Sequence, residues 1–164
     1  MRTAAFLSGN VFLKLFCYMA RCQRHRLEIK FGISIPHTTR IGPGLFIGHF
    51  GGIVVNEHTS IGRNCNLSHG VTIGQKNRGK YKGYPRIRDS VFIGPGATII
   101  GAVSVGSNVA IGANAVVVHD VGDNEVVVGN PARCISSKGA RDYINWTLDE
   151  SLVSPLASHE SEPQ

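Results

Sequence analysis

The sequence has few of the side chains that fill most globular cores. Its 164 residues include seven Phe, four Tyr, one Trp and two Met, and aromatic residues make up 7% of the chain. Aliphatic residues and twenty glycines are left to build the fold. This composition suits a turn-rich β architecture in which stacked repeats bury aliphatic side chains between them. The length fits a single domain.

Paired cysteines are also missing. Cys17, Cys22, Cys65 and Cys134 form no CxxC pair, and no histidine cluster accompanies them at zinc spacing. We therefore expect free thiols, a reducing cytoplasm and no metal. Cys65 falls on an inward position of the repeat described below and is expected to be a small core residue.

The sequence has no long uncharged apolar segment. The apolar run over residues 4–20 is interrupted by Lys14, and arginines follow at 21, 24 and 26. A cleaved signal peptide and a membrane-spanning helix are therefore not expected. Residues 3–30 are predicted to form a helix with two interpretations. It caps one end of the domain, or it lies as a basic helix on an anionic membrane surface.

Acidic residues are scarcer than basic ones, and the net charge is +6. Six Lys and Arg residues crowd residues 76–88. This cluster indicates an anionic ligand nearby. Nucleic acid is not expected as a partner, because no aromatic platform or nucleic-acid motif accompanies the charge.

What the sequence does have is a period of six over residues 87–122. An aliphatic residue recurs at every sixth position, and a small or slim apolar residue follows four places later. The aliphatic series is Ile87, Ile93, Ile99, Val105, Ile111 and Val117. Neither an α-helix nor a plain strand produces this period. Hexapeptide spacing predicts a parallel β-helix with three flat sides per coil, and Gly94, Gly106 and Gly112 are expected at turns that favour glycine.

The period extends back to Ile35, shifts by two residues after Ile53, and is broken between Ile73 and Ile87. Residues 75–86 contain nothing suited to line a core, so they are predicted to form a projecting loop. The expected domains are a helical cap over 1–31, a β-helix over 32–136 and a partly disordered tail over 137–164, from which Tyr143, Ile144 and Trp146 are able to dock on the surface.

Two of the seven histidines share a position in the repeat. His49 and His69 are each third in their hexapeptide and three units apart, which places them at one edge of the coil, about 4.8 Å apart. A histidine there is suited to remove a proton from an alcohol, and no third ligand is evident for a metal. Asp89 is also third in its unit. It joins this column only if the loop replaces one hexapeptide, which the sequence leaves open.

Four motifs, in this order, resemble the serine O-acetyltransferase family. They are HFGGIVV at 49–55, SHGVTIG at 68–74, YPRI at 84–87 and GNPAR at 129–133. Within that family the chain is most similar to the short branch of capsule, exopolysaccharide and colanic-acid O-acetyltransferases. The resemblance covers about residues 30–136. It implies an all-β solenoid with a left-handed coil, a homotrimer, and acetyl-CoA bound in the groove between neighbouring subunits.

The resemblance also implies roles for particular residues. His49 matches the catalytic base, Glu57 matches a carboxylate kept near it, and His69 is assigned to the acceptor. The expected coenzyme contacts are Gly74, Gln75, Pro95, Ala110 and Arg133. The expected acceptor contacts are Phe50, Tyr84 and Arg86.

The chain departs from the serine enzymes at four positions. Ser34 and Gly48 stand where those enzymes have aspartates, and Gly83 and Tyr84 fall on their Arg–His pair. Charges that hold a zwitterionic amino acid are thus missing. We therefore expect an acetyl-CoA-dependent O-acetyltransferase that acts on a sugar hydroxyl in surface polysaccharide synthesis, in the cytoplasm or at the inner face of the membrane. The alternatives are a serine O-acetyltransferase of cysteine biosynthesis and a non-catalytic β-helix scaffold. The γ-carbonic anhydrases share the fold but need three zinc histidines.

Overall fold

The computed structural model describes residues 11–148. The chain begins with helix α1, Val11–Phe31. The helix ends at Gly32, whose φ of +63° lies in the left-handed region that commonly closes helices. Of the helix predicted over residues 3–30, the part before residue 11 lies outside the described residues.

Fifteen short strands follow and form three sheets. Sheet 1 contains β1 Ile33–Ser34, β4 Ile53–Val55, β7 Thr72–Gly74, β10 Thr98–Ile100 and β13 Val116–Val117. Sheet 2 contains β2 Arg40–Ile41, β5 Ser60–Ile61, β8 Arg86–Ile87 and β11 Ser104–Val105. Sheet 3 contains β3 Phe46–Ile47, β6 Asn66–Leu67, β9 Phe92–Ile93, β12 Ala110–Ile111, β14 Val126–Val128 and β15 Arg133–Ser136.

The three sheets are the three sides of one coil. From β1 to β13, successive strands belong to sheets 1, 2 and 3 in turn, and the pairing within each sheet is parallel until β15 turns back against β14. The aliphatic series predicted to point inward is buried at 0–3% exposure, from Ile87 to Val117. The predicted parallel β-helix is therefore confirmed. The left hand implied by the family resemblance stays a prediction.

The glycines that follow the inward aliphatic residues are required for a different physical reason from the one expected. Gly94, Gly106 and Gly112 are not in the left-handed region; instead, a Cβ at Gly94 would meet the carbonyl oxygen of Ile111 at 2.8 Å. The coils stack too closely for a side chain there. The left-handed corner positions are shared by other glycines, such as Gly70 and Gly96, and by asparagines, with φ near +55° at Asn64, Asn108 and Asn114, a conformation that asparagine tolerates well.

The register shows where the coil deviates from six. Ile47 pairs with Leu67, but Val55 pairs with Ile73, so two extra residues lie at Gly51–Gly52, both with positive φ. Ile61 pairs with Ile87, so the loop after Ile73 is added to the coil and replaces no side of it.

The inserted loop occupies residues 75–85, because Arg86 already belongs to β8. It is folded back on itself, and Lys76 and Gly83 exchange two backbone hydrogen bonds of 3.0 and 2.9 Å. The prediction that nothing in the loop lines a core was wrong in two places. Tyr81 packs against the core, and Pro85 is buried. Tyr81 is held there because its carbonyl accepts a hydrogen bond from the Ala102 amide.

The first part of the predicted tail, residues 137–148, packs along sheet 3 and its corner with sheet 2; we call it the C-terminal segment. Ala140 is fully buried against Ala110 and Val126. Tyr143 and Trp146 stack on Phe92 and Phe46, with ring centroids 5.7 and 6.5 Å apart. The docking expected of these aromatic residues is therefore present.

Helix α1 leaves large apolar side chains exposed. Phe12, Phe16, Tyr18 and Met19 are 61–84% exposed, and the inward residues of the first coil, such as Ile33 and Ile35, are only half-buried. A helix that capped this end would cover those residues and lose its own exposure. Within one chain, α1 covers less of the coil than the cap interpretation requires. No helix in the described range is long and apolar enough to cross a membrane.

Candidate active site

His49, His69 and Pro95 lie at one corner of the coil, between sheets 3 and 1; we call it the histidine corner. Each follows its inward aliphatic residue by two places, and the pairings Ile47–Leu67 and Leu67–Ile93 stack the three positions on successive coils. The two imidazole rings are 6.1 Å apart at 77°. The prediction that both histidines share one edge is confirmed.

The backbone beside the histidines is fixed by a ladder of glycines. Gly52, Gly70 and Gly96 all have positive φ, and a Cβ on Gly52 or Gly70 would lie 3.2–3.3 Å from the glycine of the next coil. The Gly70 amide donates to the Gly51 carbonyl, and the Gly96 amide donates to the His69 carbonyl. These glycine contacts and hydrogen bonds fix the position of each histidine along the coil axis. Because glycine has no side chain, the backbone beside each histidine is left uncovered.

The histidines open into a pocket of about 460 Å³. Its lining is formed by Phe46, Gly48, His49, Asn66, Leu67, Ser68, His69, Phe92, Pro95 and Asn145. Within the described part of the chain, this lining contains no carboxylate, lysine or arginine. The pocket offers imidazole, hydroxyl and amide groups together with aromatic surface. Such a set suits a neutral, hydroxyl-bearing molecule.

Asp89 is not part of the histidine corner. Its carboxylate accepts a hydrogen bond of 2.7 Å from the Arg63 amide at the corner between sheets 2 and 3. The alternative left open by the sequence is thereby decided, because the loop replaces no hexapeptide and Pro95 takes the third place in the column.

Glu57 lies at the corner between sheets 1 and 2, from which the inserted loop projects; we call it the loop corner. A second pocket, of about 860 Å³, opens at the loop corner, and its lining includes Glu57, Tyr84 and Arg86. His58 contacts the Tyr84 ring at 4.6 Å, and its Nε2 is 3.6 Å from the Glu57 carboxylate. Strand β4 runs between His49 and Glu57. Within one chain, Glu57 therefore lies at a different corner from His49, and their expected closeness stays a prediction for neighbouring subunits.

The predicted coenzyme contacts do not meet in one place. Pro95 lines the histidine pocket, and Gly74 and Gln75 lie at the foot of the loop. Arg133 lines a third pocket, of about 250 Å³, together with His119 and Asp120. Ala110 is 2% exposed beneath the C-terminal segment, so its side chain is closed to a ligand in this chain.

Of the predicted acceptor residues, only Phe50 belongs to the histidine corner. Its side chain is 74% exposed. Tyr84 and Arg86 lie with Glu57 at the loop corner. The acceptor contacts predicted from sequence are thus divided between the two corners that flank sheet 1.

Several pocket residues were missed by sequence reasoning, chief among them Asn66 and Asn145. Asn66 is 2% exposed, and its position in the repeat is outward, where β3 and β9 carry Phe46 and Phe92. A polar residue between two aromatic ones in an outward column was the available signal. Asn145 lies outside the repeats, and no pattern in the sequence around it predicts a place in the pocket.

Cys65 is buried as expected, and it is not part of a reactive site. Burial raises the pKa of its thiol from 9.0 to about 11, and the thiol donates to the Arg88 carbonyl at 3.2 Å. Across residues 11–148, the structure groups no three His, Cys, Asp or Glu side chains in a way that suits a metal ion.

Residues 84–119 match the family model of the bacterial transferase hexapeptide (six repeats). The serine acetyltransferase of Helicobacter pylori (strain ATCC 700392 / 26695) is 40% identical over 130 residues, which are 79% of this chain and 76% of that protein. The serine acetyltransferase of Bacillus subtilis (strain 168) is 36% identical over 159 residues, 95% of this chain and 73% of that one.

Solved structures of serine acetyltransferases show the same similarity. Serine acetyltransferase of Brucella abortus strain S19 in complex with coenzyme A superposes with a TM-score of 0.66 at 38% identity, covering 70% of this chain and 46% of that one. The Neisseria gonorrhoeae enzyme in complex with serine gives 0.63 at 38% identity, covering 75% and 50%. The chain thus spans about half the length of these solved structures.

Proposed function

Because the chain belongs to the hexapeptide-repeat serine acetyltransferase family, we propose that it is an acetyl-CoA-dependent O-acetyltransferase in which His49 is the general base. The observation that carries this proposal is the pair of imidazoles on successive coils, beside the glycine ladder and open to a pocket of about 460 Å³. A scaffold protein has no need of two such histidines at the mouth of one pocket.

The proposed reaction combines that geometry with the role that the family resemblance implies for His49. His49 accepts the proton of the acceptor hydroxyl while the oxygen attacks the thioester carbonyl of acetyl-CoA. The tetrahedral intermediate collapses, the bond from carbon to sulfur breaks, and the imidazolium returns its proton to the departing coenzyme A thiolate. His69 is placed to hold or orient the acceptor, because its ring stands on the next coil of the same corner.

We propose a trimer packed around sheet 1. The outward side chains of this sheet include Val54, Thr72, Thr98 and Val116, none of them charged, whereas sheet 2 presents Arg40 and Arg86 and sheet 3 is covered by the C-terminal segment. Sheet 1 is bordered by the histidine corner on one side and the loop corner on the other. Threefold packing would therefore face His49 of one subunit towards Glu57, Tyr84 and Arg86 of its neighbour, and acetyl-CoA would occupy the groove between them. The solved relatives also support a left-handed coil, which an experimental structure would test.

L-Serine is the acceptor that the relatives favour. The proteins named above are serine acetyltransferases, and one was solved with serine. The preference for polysaccharide synthesis drawn from sequence has no such support. We therefore propose serine O-acetylation as the first candidate. The charged partners of the amino acid would then come from the neighbouring subunit's loop corner, where Arg40, Lys82, Arg86 and Glu57 are gathered.

A sugar hydroxyl is the second candidate, and one observation favours it. The lining of the histidine pocket carries no carboxylate, lysine or arginine among the described residues, while a zwitterion left without charged partners is costly to bury. Phe46, Phe50 and Phe92 offer the flat surfaces on which sugars pack.

Coenzyme A release from acetyl-CoA, measured with each acceptor in turn, tests the proposal. The acceptors are L-serine, D-glucose, D-galactose, N-acetylglucosamine and maltotriose. Saturable release with L-serine at a KM below about 1 mM, an ordinary value for an enzyme's own substrate, is the expected result. Release with a sugar and none with L-serine would replace the first candidate by the second. Release with none of them above the rate of acetyl-CoA hydrolysis would contradict acetyl transfer to either class.

We also propose that α1 contacts an anionic membrane surface from the cytoplasmic side. Its first half exposes Phe12, Phe16 and Met19, and its second half carries Arg21, Arg24, Arg26 and Lys30 against the single acid Glu28. Apolar and basic groups together bind anionic lipid. Sedimentation with phosphatidylglycerol vesicles, but not with phosphatidylcholine vesicles, is expected. Equal sedimentation with both, or with neither, would contradict the proposal.

A further inference from the structure

The histidine pocket has a wall that does not come from the repeats. Asn145 lines the pocket from the C-terminal segment, at the same level as Asn66 of β6. Residues 143–146 carry Tyr143, Asn145 and Trp146 past the outward face of sheet 3; we call them the pocket wall. Everything else that lines the pocket belongs to the coil itself.

Asn66 is the anchor of this wall. Its Oδ1 accepts a hydrogen bond of 3.1 Å from the Asn145 amide, and its Nδ2 donates one of 3.2 Å to the Trp146 carbonyl. One buried side chain thus satisfies the backbone of two successive residues about eighty positions away. Because a buried amide left without partners is destabilising, the wall and Asn66 depend on each other.

The rest of the segment holds the wall on both sides. Before it, the Ala140 amide donates to the Asn108 carbonyl, and the Ala140 methyl is fully buried. After it, the Leu148 amide donates to Asn64 Oδ1 at 2.8 Å. Tyr143 and Trp146 stack on Phe92 and Phe46, which themselves line the pocket. The wall is therefore fixed relative to His49 and His69.

The side-chain amide of Asn145 is available to bind a ligand. Its backbone amide is used by Asn66, but across the part of the chain that the structure describes no hydrogen bond involves its side-chain amide. A carboxamide offers both donors and acceptors, so it suits a neutral polar group such as a hydroxyl. The Asn145 carboxamide therefore lines the same pocket as the two imidazoles with its hydrogen-bonding groups available.

We propose that Asn145 is a specificity-determining residue that hydrogen-bonds a polar group of the acceptor other than the one acetylated, and that Asn66 is the positioning residue that holds the pocket wall. This inference rests on the proposed O-acetyltransferase function and names where the acceptor is recognised. The coenzyme takes no part in it.

The first test compares Asn145→Ala with Thr147→Ala, an exposed neighbour outside the pocket. With whichever acceptor the wild type turns over best in the panel above, Asn145→Ala should raise the acceptor KM roughly three- to tenfold, the usual effect of one lost hydrogen bond. Its kcat should stay within about twofold, and the KM for acetyl-CoA should not change. Thr147→Ala should match the wild type. An unchanged acceptor KM for Asn145→Ala would overturn the proposal while leaving the proposed function standing.

The second test uses Trp146, the one tryptophan of the chain, as a reporter of the wall. Binding of the acceptor to the wild type should change Trp146 emission saturably, with a midpoint that shifts to higher concentration in Asn145→Ala. Asn66→Ala should shift the emission to the red, raise the acceptor KM and keep the KM for acetyl-CoA. Emission insensitive to the acceptor, or an Asn66→Ala variant that loses affinity for both substrates alike, would overturn the inference. A wild type without turnover on any acceptor would instead remove the proposed function, and this inference with it.

Discussion

His49 and His69 illustrate how the coil gives neighbouring residues different surroundings. Both are exposed and both stand at the histidine corner, yet they occupy successive coils and lie between different glycines of the ladder. A substrate that reaches one ring with its reacting hydroxyl reaches the other with a different atom. The geometry separates two roles, and the family motif at residues 49–55 is why we assign the proton transfer to His49 and the binding role to His69, although their side chains are chemically identical.

Cys65 provides a prediction at the scale of one residue. Its thiol is fully buried and its pKa is raised to about 11, chiefly by burial. In folded protein at pH 8, Cys22 and Cys134, which are exposed, should react with a thiol reagent while Cys65 reacts only on unfolding. Titration of thiols with and without denaturant measures this. Rapid modification of Cys65 in the folded protein would contradict its place in the core.

The raised pKa of the Cys65 thiol also determines how the free energy of unfolding changes with pH. The unfolded thiol ionises near its usual pKa of 9.0, whereas the folded thiol keeps its proton until about 11. The contribution of Cys65 to the free energy of unfolding is therefore complete below pH 9 and is lost as the pH rises towards 11. Urea unfolding of Cys65→Ala should lack this part of the decline.

Individual pocket residues were predictable only where the repeat applied. The spacing of His49 and His69 predicts their shared corner, because a two-residue shift is visible in the inward series around Ile53. Asn145 follows no repeat, so its approach to Asn66 depends on a tertiary contact that no periodic pattern records. Glu57 was placed by family resemblance, which does not say from which subunit a residue comes.

At the scale of the element, the close stacking of coils sets which glycines are required. Gly106 and Gly122 occupy the same place in the repeat and the same column, but only Gly106 has another coil above it. A Cβ on Gly106 would lie 2.7 Å from the Asp123 amide nitrogen, whereas one on Gly122 would meet only the flexible Glu125 side chain at 3.3 Å.

This pair gives a matched prediction. Gly106→Ala should lower the free energy of unfolding by roughly 1–3 kcal/mol, as overpacking does, because the backbone of the next coil must move. Gly122→Ala should change it by less than about 1 kcal/mol. Urea unfolding followed by circular dichroism measures both. Equal effects of the two substitutions would contradict the stacking account.

The elements also show what a period of six predicts and what it does not. It predicts the inward positions from Ile87 to Val117, since burial there is decided by local spacing. After Val117 the coil is two residues shorter, because Val105 pairs with Val121 and Ile111 with Val127. It does not predict whether the fourteen-residue step from Ile73 to Ile87 replaces a side of the coil or adds a loop, because the period after Ile87 is the same in both cases. Tyr81 reached the core from that loop through the hydrogen bond of its carbonyl to the Ala102 amide.

At the scale of the whole molecule, the three faces of the coil differ in what remains open. Sheet 3 is covered by the C-terminal segment, sheet 2 carries arginines, and sheet 1 is uncharged, with Val54 49% exposed and Thr72, Thr98 and Val116 partly exposed. We expect a trimer in sedimentation, with no further pairing of trimers. Val54→Arg, on sheet 1, should yield monomers because three like charges would meet near the threefold axis. Ser104→Arg, on sheet 2, should leave the trimer intact.

A monomeric wild type would contradict the trimer, and a hexamer would contradict the absence of further pairing. A trimer that survives Val54→Arg but dissociates in Ser104→Arg would place the interface on sheet 2. In that case the histidine corner and the loop corner of neighbouring subunits would not face each other as proposed.

The central claim is that His49 removes a proton from an acceptor hydroxyl, and coenzyme A release by His49→Ala tests it most directly. With the best acceptor of the panel, kcat should fall by roughly 10²–10⁴, the usual contribution of a general base. The thermal midpoint and the affinity for acetyl-CoA should be unchanged, and His69→Ala should lose less. A His49→Ala variant that keeps wild-type kcat, or a larger loss in His69→Ala, would contradict the assignment of the base to His49.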